Sequence, residues 1–328
     1  MATMGVETSV ERGEFEAAAE RHRRELHVHC YRMLGSLDEA DDAVQETFLR
    51  AWRRRSTYAG RASLRAWLYK IATNTCLDAL GQRPRRPTPV EDAGMHGGRA
   101  GGPATEVLWL QPYPDALLEP DAALVAKETI ELAFMVAIQH LTPQSRAVLI
   151  LRDVLDWSAK DTAELLETST VAVNSALQRA RGALAEHLPA ERAEWPAATT
   201  DPTAAELELL RRYMDATDRS DVAALKATLH EDLTFAMPPQ PGVWQGRDAA
   251  VDGWVSGGFG SAEWGTMRCR LTAANRQPAV ACYVQKPGTD VSKLFAVDVV
   301  RFEEGRVREI VTFSGEALLS RFGIPMTL

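Results

Sequence analysis

Residues 38–80 read DEADDAVQETFLRAWRRRSTYAGRASLRAWLYKIATNTCLDAL and predict two amphipathic helices joined by a short loop. In the first helix Val44, Phe48 and Trp52 recur every four residues, which places them on one face. The loop contains a glycine, which breaks the helical pattern, and Ser63 is a residue type that caps the start of a helix. By spacing alone this is an ordinary helix pair whose arginines lie in solvent.

The identities of the residues in this stretch are more informative than the spacing of its apolar positions. DEADDAVQETFLRAW followed by YAGRASLRAWLYKIATNTCLDAL resembles conserved region 2 of the sigma-70 family of bacterial initiation factors, specifically the extracytoplasmic-function (ECF) type. The resemblance places region 2 at residues 11–84 and implies docking on the β′ clamp helices of core RNA polymerase. A mixed-charge helix face suits such a partner. The implied polymerase-binding residues are Asp42, Gln45, Glu46, Leu49 and Arg53.

The same resemblance implies a pocket for an unpaired base of the −10 promoter element. Unstacking a base costs a few kcal/mol, and stacking on an aromatic ring returns about 1–3 kcal/mol. An asparagine side chain can bond a base edge in two directions. The implied −10 residues are Tyr58, Ala59, Gly60, Arg61, Ser63 and Asn74, with Tyr58 and Asn74 as the walls. Trp67 is expected in the core.

The composition is that of an ordinary globular protein: 328 residues, 45% hydrophobic and 25% charged. No apolar run reaches membrane-spanning length and the N-terminus does not read as a signal peptide, so we expect a cytoplasmic protein without a membrane partner. The four cysteines form no CxxC pair, and we expect no metal, cofactor or disulfide. His22, His27 and His29 are expected to be solvated or at the edge of the core.

The net charge of −8 bears on DNA binding. Neutralised phosphates supply most of the affinity of a protein that binds DNA unaided. An acidic chain that touches DNA therefore needs another source of attraction. A sigma factor held on polymerase meets that condition better than a free-standing repressor does.

Residues 121–188 predict helices separated by tight turns, including a long helix from Ala122 to His140 and another from Pro143 to Leu155. Thr142 is a predicted N-cap. A short helix, a tight turn and a longer helix form the helix-turn-helix pattern, although spacing alone leaves a plain helical hairpin open. The wording LTPQSRAVLILRDVLDWSAKDTAELLETSTVAVNSALQRARGAL resembles region 4 of the same family, which contacts the polymerase β flap and reads the −35 element.

The last helix of this region would lie in the DNA major groove. The implied −35 residues are Thr170, Ala172, Asn174, Ser175 and Gln178 toward the bases, and Arg179 and Arg181 on phosphates. For the two arginines, a solvated helix end favoured by the helix dipole stays an alternative. The family commonly has Gly where this chain has Glu167, and Lys or Arg at positions 174 and 176, so direct phosphate attraction should be weak.

Two linkers are predicted, at residues 85–120 and 189–202. The first is rich in Pro, Gly and Arg and cannot bury a core. Its second half differs, because the segment Trp109–Asp115, WLQPYPD, combines large apolar side chains. We expect this segment to dock on another surface or to become ordered with a partner.

Residues 203–228 read as two helices, and residues 233–257 as a strand, a turn and a short helix that begins near Gly246. Four alternating strands follow at Thr266–Ala274, Pro278–Gln285, Lys293–Phe302 and Val307–Phe313. That order indicates an α+β domain. The phrases DVAALKATLHEDLTFAMPP, WQGRDAAVDGW and DVVRFEEGRVREIVTF resemble a SnoaL-like domain of the nuclear-transport-factor-two type. The resemblance implies a curved sheet wrapped by helices into a cone around a central cavity.

Six side chains of this domain form either a ligand pocket or a packed core: Tyr213, Phe235, Met237, Trp244, Trp254 and Phe295. His230, Asp232 and Asp298 could act as acids or bases, but no motif fixes any pair of them. SnoaL-like domains include cyclases and isomerases as well as non-enzymatic members, so the resemblance alone leaves both open.

The fold class we predict is multidomain, with two all-α sigma domains (a region 2 helical bundle and a region 4 helix-turn-helix) and an α+β SnoaL-like cone. The predicted function is that of a non-enzymatic ECF sigma factor, binding core RNA polymerase and promoter DNA. Its SnoaL-like domain would regulate it in cis, with a small molecule as a candidate ligand. The alternatives are a ligand-responsive helix-turn-helix regulator that acts without polymerase, and a C-terminal cyclase or isomerase.

Overall fold

The structure, a computed structural model, describes residues 15–58, 63–82, 110–118, 131–188, 202–240 and 243–328. The described chain falls into two compact units. A helical unit holds the described residues up to Gln82 together with residues 137–188. A C-terminal unit holds residues 110–118 and 131–136 together with the described residues from 202 onward.

In the first half of the helical unit a helical stretch at residues 15–20 precedes α1 (Arg23–Leu34), α2 (Leu37–Arg54) and α3 (Leu64–Gln82). Ser36 caps α2, and Ser63 caps α3 by accepting a 3.1 Å hydrogen bond from the backbone N–H of Ala66, as predicted. The buried face of α2 includes Ala40, Val44 and Ala51. The prediction for His29 was wrong: its ring is fully buried in this bundle.

The second half contains the end of α4 (Leu132–Gln139), whose first residues belong to the C-terminal unit, together with α5 (Pro143–Leu149), α6 (Ala159–Leu165) and α7 (Thr170–His187). Thr142, Ser158 and Ser169 cap the last three. The predicted α-helix 143–155 is corrected, because the chain widens after Leu149 into a π-helical turn, Ile150–Val154. Of the predicted helix Ala122–His140, residues 122–130 lie outside the described part of the chain.

The two halves of the helical unit pack against each other. The guanidinium of Arg146 in α5 donates to the backbone carbonyl of Met33, at the end of α1. Nearby, Gln139 Nε2 donates to the carbonyl of Arg32 at 3.2 Å. The Lys70 ammonium lies 3.0 Å from the Glu167 carboxylate. These contacts join α1 to α4 and α5, and α3 to the turn that precedes α7.

The C-terminal unit is α+β, as predicted. Its helices are α8 (Ala204–Asp218), α9 (Val222–Thr228), α10 (Arg247–Ser256) and α11 (Glu316–Leu319). Its strands are β1 (Leu229–Ala236), β2 (Val243–Gln245), β3 (Thr266–Ala274), β4 (Gln277–Gln285), β5 (Ser292–Glu303) and β6 (Arg306–Ser314). The sheet order is β2-β1-β6-β5-β4-β3, with β1 and β6 parallel and the other neighbours antiparallel. Helices α8 to α10 cover one face and leave a cavity there.

Candidate nucleic-acid and ligand sites

The predicted polymerase-binding residues lie along one side of α2. Asp42, Gln45 and Arg53 are exposed, and Leu49 leaves 45% of its surface in solvent. Glu46 is half-buried, and its carboxylate accepts a 2.7 Å hydrogen bond from Arg50. The side chains that α2 buries lie on its opposite side. Among the described residues of the helical unit, this face is therefore left accessible to a partner protein.

The predicted −10 residues are only partly visible, because Ala59, Gly60 and Arg61 lie outside the described residues. Tyr58 and Asn74 are half-buried. The ring of Tyr58 lies against that of Trp67, with centroids 5.3 Å apart. Trp67 is therefore half-buried beside the loop rather than in the core. The hydroxyl of Ser63 is already engaged as the cap of α3.

Region 4 presents the predicted −35 residues on the outer surface of α7, the second helix of a helix-turn-helix. All seven are exposed: Thr170, Ala172, Asn174, Ser175, Gln178, Arg179 and Arg181. Arg181 already has a partner within region 4. Its guanidinium forms two 2.7 Å hydrogen bonds to the Asp153 carboxylate, which raises the pKa of Arg181 and ties the cation back to the domain.

Glu167 stands in the turn where the family commonly has glycine. Its φ of +53° lies in the left-handed region, which glycine adopts without a steric penalty. The Glu167 carboxylate pairs with Lys70, and this interaction lowers its pKa. The glutamate that replaces the glycine expected from the family pattern thus pairs with Lys70 on α3. The sequence pattern gave no means of predicting this ion pair.

The linker segment predicted to dock does so on the C-terminal unit. Its described part is Leu110–Leu118, and Trp109 lies outside it. Tyr113 and the turn residue Asn275 exchange two hydrogen bonds, one from the Tyr113 N–H to the Asn275 side chain (2.7 Å) and one from the Asn275 N–H to the Tyr113 carbonyl (2.8 Å). The Arg276 N–H donates to the Asp115 carboxylate at 2.9 Å. Both Tyr113 and Asn275 are buried.

The C-terminal unit contains a partly open cavity of about 210 Å³. The structure brings all six predicted pocket residues to its wall: Tyr213, Phe235, Met237, Trp244, Trp254 and Phe295. Phe259 and Trp264 were not predicted and also line it. They lie in and after the glycine-rich turn that follows α10, where no periodic pattern marks them.

Asp298 lies on the wall of this cavity and is the acidic residue among the described lining side chains. It accepts hydrogen bonds from Thr312 Oγ1 (2.6 Å), Tyr213 Oη (3.1 Å) and Cys282 Sγ (3.4 Å). Burial raises the pKa of Asp298, while these three donors act in the opposite direction. Burial, together with the Asp298 charge, also raises the pKa of Tyr213 well above its usual value.

The other two acid–base candidates do not join Asp298. His230 Nε2 lies 3.8 Å from the Glu304 carboxylate, and Asp232 is exposed on β1. Neither lines the cavity. Within the described residues no group of three His, Cys, Asp or Glu side chains could hold a metal ion. None of the described helices has both the length and the apolar character needed to cross a membrane.

Comparison with known families agrees with this architecture. Residues 18–86 match the model of sigma-70 region 2, residues 131–184 that of sigma-70 region 4, and residues 210–310 that of the SnoaL-like domain. Together they define a sigma-70 protein with a fused SnoaL-like domain. The chain belongs to the ECF RNA polymerase sigma factors, which confirms the resemblance seen in its sequence.

Its relatives carry the same family name. The ECF RNA polymerase sigma factor SigG of Mycobacterium tuberculosis is 42% identical over 323 residues, covering 97% of this chain and 85% of SigG. SigJ of the same organism is 31% identical over 229 residues, covering 69% of this chain and 64% of SigJ. The crystal structure of SigJ matches with a TM-score of 0.60 at 24% identity, covering 96% of this chain and 99% of SigJ, which shows a shared fold.

Proposed function

We propose that this ECF sigma factor brings core RNA polymerase to its promoters and is held in check by its own C-terminal domain. The exposed face of α2 around Gln45 and Leu49 would dock on the β′ clamp helices. Region 4 would contact the β flap and read the −35 element. The protein would work in the cytoplasm without enzymatic activity, in five segments bounded as the sequence predicts, at residues 11–84, 85–120, 121–188, 189–202 and 203–328.

Promoter reading is assigned to two surfaces. Tyr58 and Asn74 would hold a flipped base of the −10 element, with the cap residue Ser63 and the loop 59–61 beside them. The seven exposed residues of α7 would read the −35 element. This exposure is the observation that carries the assignment, because α7 follows its tight turn with its outer surface uncovered in the helical unit.

The charge of the chain favours action on polymerase. With Arg181 bound to Asp153, Arg179 is the more available of the two predicted phosphate contacts. Few phosphate contacts give weak unaided binding. A polymerase that supplies most of the DNA contacts removes this difficulty, whereas a free-standing repressor would have to overcome it alone.

The packing within the helical unit supports an inactive resting arrangement. The −10 and −35 elements are about 25 base pairs apart, which is roughly 85 Å of B-DNA at about 3.4 Å per base pair. Here the Lys70 and Glu167 side chains of regions 2 and 4 are 3.0 Å apart. Regions 2 and 4 must therefore separate before they can occupy both elements at once.

The connection between the two sigma regions supports control by the C-terminal domain. Residues 110–118, which lie between regions 2 and 4 in sequence, are hydrogen-bonded to Asn275 and Arg276. Further along, the Leu132 N–H at the start of α4 donates to Gln277 Oε1 at 2.8 Å. Two anchors in the connecting chain shorten the part of it that can extend, so their release would favour separation of the regions.

The test is transcription in vitro. Sigma-free core polymerase is supplied with a promoter library and either the full-length chain or a truncation ending at Leu188. We expect initiation that depends on the protein, and faster initiation with the truncated form than with the full-length chain. An Asn74→Ala variant should initiate poorly although it still binds polymerase.

Two other outcomes would replace the proposal. Sequence-specific DNA binding without polymerase, and no initiation with it, would indicate a free-standing regulator. If the chain turns over a small molecule and the Asp298→Asn variant does not, the protein is an enzyme. The hydrogen-bonded pair Tyr213 and Asp298 in the cavity is the reason to test this alternative. Equal activity of the full-length and truncated chains would overturn control in cis.

A further inference from the structure

The cavity of the C-terminal unit has an aromatic wall. The ring of Phe235 lies 5.2 Å from that of Trp244 and 5.0 Å, edge-on, from that of Trp254. Across the rim, Trp264 and Phe295 meet edge-on at 5.4 Å. Aromatic rings carry negative charge on their faces and attract cations placed over them. A wall built from so many rings therefore favours an organic cation over an anion.

One contact shows this preference within the protein itself. The ammonium of the exposed residue Lys286 lies 4.4 Å from the centroid of the Trp264 ring. This lysine is not part of the cavity lining. At the rim, Phe295 leaves 39% of its surface exposed, which provides an entrance from solvent.

Asp298 places a carboxyl group in this wall without a basic group beside it among the described lining residues. Its three hydrogen-bond donors, Tyr213, Thr312 and Cys282, are all uncharged groups. Among the described residues that line the cavity there is no lysine, arginine or histidine. Burial raises the pKa of Asp298 because a carboxylate without a counter-ion is poorly solvated there. A cation brought in by a ligand would supply the missing counter-ion.

The size of the cavity limits the ligand. An apolar cavity of about 150 Å³ holds a benzene molecule. A cavity of about 210 Å³ therefore has room for one aromatic ring and a short arm. An anion would meet the Asp298 carboxylate without any basic group among the described lining residues to offset the repulsion.

We propose that this cavity binds a small aromatic amine, with its ammonium directed to Asp298 and its ring packed among Phe235, Trp244 and Trp254. The inference deepens the proposed control in cis and rests on it for its biological meaning, because the amine would be the ligand to which the C-terminal domain responds. Binding itself requires neither polymerase nor DNA.

The test compares three ligands of similar shape by calorimetry on the full-length chain. They are 2-phenylethylamine (a cation), 2-phenylethanol (a neutral donor) and 3-phenylpropionate (an anion). We expect the amine to bind at least about tenfold more tightly than the alcohol, and the anion not to bind. Equal or tighter binding of the alcohol or the anion would overturn the proposal, and so would the absence of amine binding at millimolar concentration.

A pair of variants locates the cation. Asp298→Asn removes the buried charge and should reduce the affinity for the amine to that for the alcohol. Asp290→Asn removes the same charge from an exposed loop and should change neither affinity. If Asp298→Asn does not fold, as judged by circular dichroism, the ligand series on the unmodified chain still decides. If the chain selects the amine but does not initiate transcription, only the proposed sigma activity is contradicted. If it initiates transcription but does not select the amine, only this inference is contradicted.

Discussion

His29 is a histidine held uncharged in the interior of the helical unit. Burial, together with the nearby charges of Arg32 and Arg65, lowers its pKa to about 3. Its Nε2 atom lies 2.9 Å from Thr73 Oγ1 on α3. Periodicity could not predict this, because a histidine at the edge of an apolar stripe is usually solvated; the full burial depends on how α1 and α3 pack.

The pKa of His29 predicts a dependence of stability on pH. Below the ordinary value of 6.5 the unfolded chain takes up a proton on this ring, whereas the folded chain does so only near pH 3. Stability is therefore lost as the pH falls from 6.5 toward 3, by about 2 kcal/mol between pH 7 and pH 5. Urea unfolding of the chain at pH 7 and at pH 5 measures this difference in the free energy of unfolding.

Matched variants separate His29 from the other titrating groups. His29→Gln should be less stable at both pH values but should lose about 2 kcal/mol less between them. His140→Gln changes an exposed histidine and should keep the original difference. If the two variants show the same pH dependence, the protonation of His29 does not control acid stability.

At the scale of the elements, the sheet was the most predictable part of the chain. Strands β3 to β6 begin and end within one residue of their predicted positions, because each is a run of strand-forming residues bounded by turn residues. The linker segment was harder. Its apolar side chains indicated docking, but its partner Asn275 is 162 residues from Tyr113 and works through a turn with φ of +55°. No local pattern encodes that pairing.

Asn275 therefore provides a test of the docked segment. Asn275→Ala removes the acceptor of the Tyr113 N–H and places alanine in a left-handed conformation, which costs about 1–2 kcal/mol. We expect the backbone of residues 110–118 to exchange hydrogen faster, by about tenfold or more. Asn275→Asp keeps an acceptor oxygen and tolerates the same conformation, so it should retain most of the protection. Unchanged exchange in Asn275→Ala would show that the segment is held by its apolar side chains instead.

The two arginines near the end of α7 predict different effects on DNA binding. Arg179 is exposed, whereas Arg181 is held by two bonds to Asp153. With holoenzyme on a promoter, Arg179→Ala should reduce the slope of log affinity against log salt by about 1, as expected for one lost phosphate contact. Arg181→Ala should reduce it by clearly less. Equal losses would mean that Arg181 leaves Asp153 when DNA binds.

At the scale of the whole molecule, the proposed function requires two arrangements of the sigma regions. The packing of Arg146 on the Met33 carbonyl and of Lys70 beside Glu167 describes the closed one. The exposed ion pair adds little on its own, about 0–1 kcal/mol, so the buried Arg146 carries more of the stability of this packing. An interface of this kind can be opened by a competing surface, and polymerase offers one.

The closed arrangement can be locked to test whether it is inactive. In the double variant Lys70→Cys, Glu167→Cys, a short bis-maleimide should join regions 2 and 4, since the two side chains meet in the folded chain. The four native cysteines are buried and should not react. We expect the cross-linked protein to lose initiation with core polymerase, because its regions cannot span roughly 85 Å of promoter. The two single variants, treated with the same reagent, should keep their activity. Full initiation by the cross-linked protein would show that regions 2 and 4 need not separate, and the role assigned to their packing would be wrong.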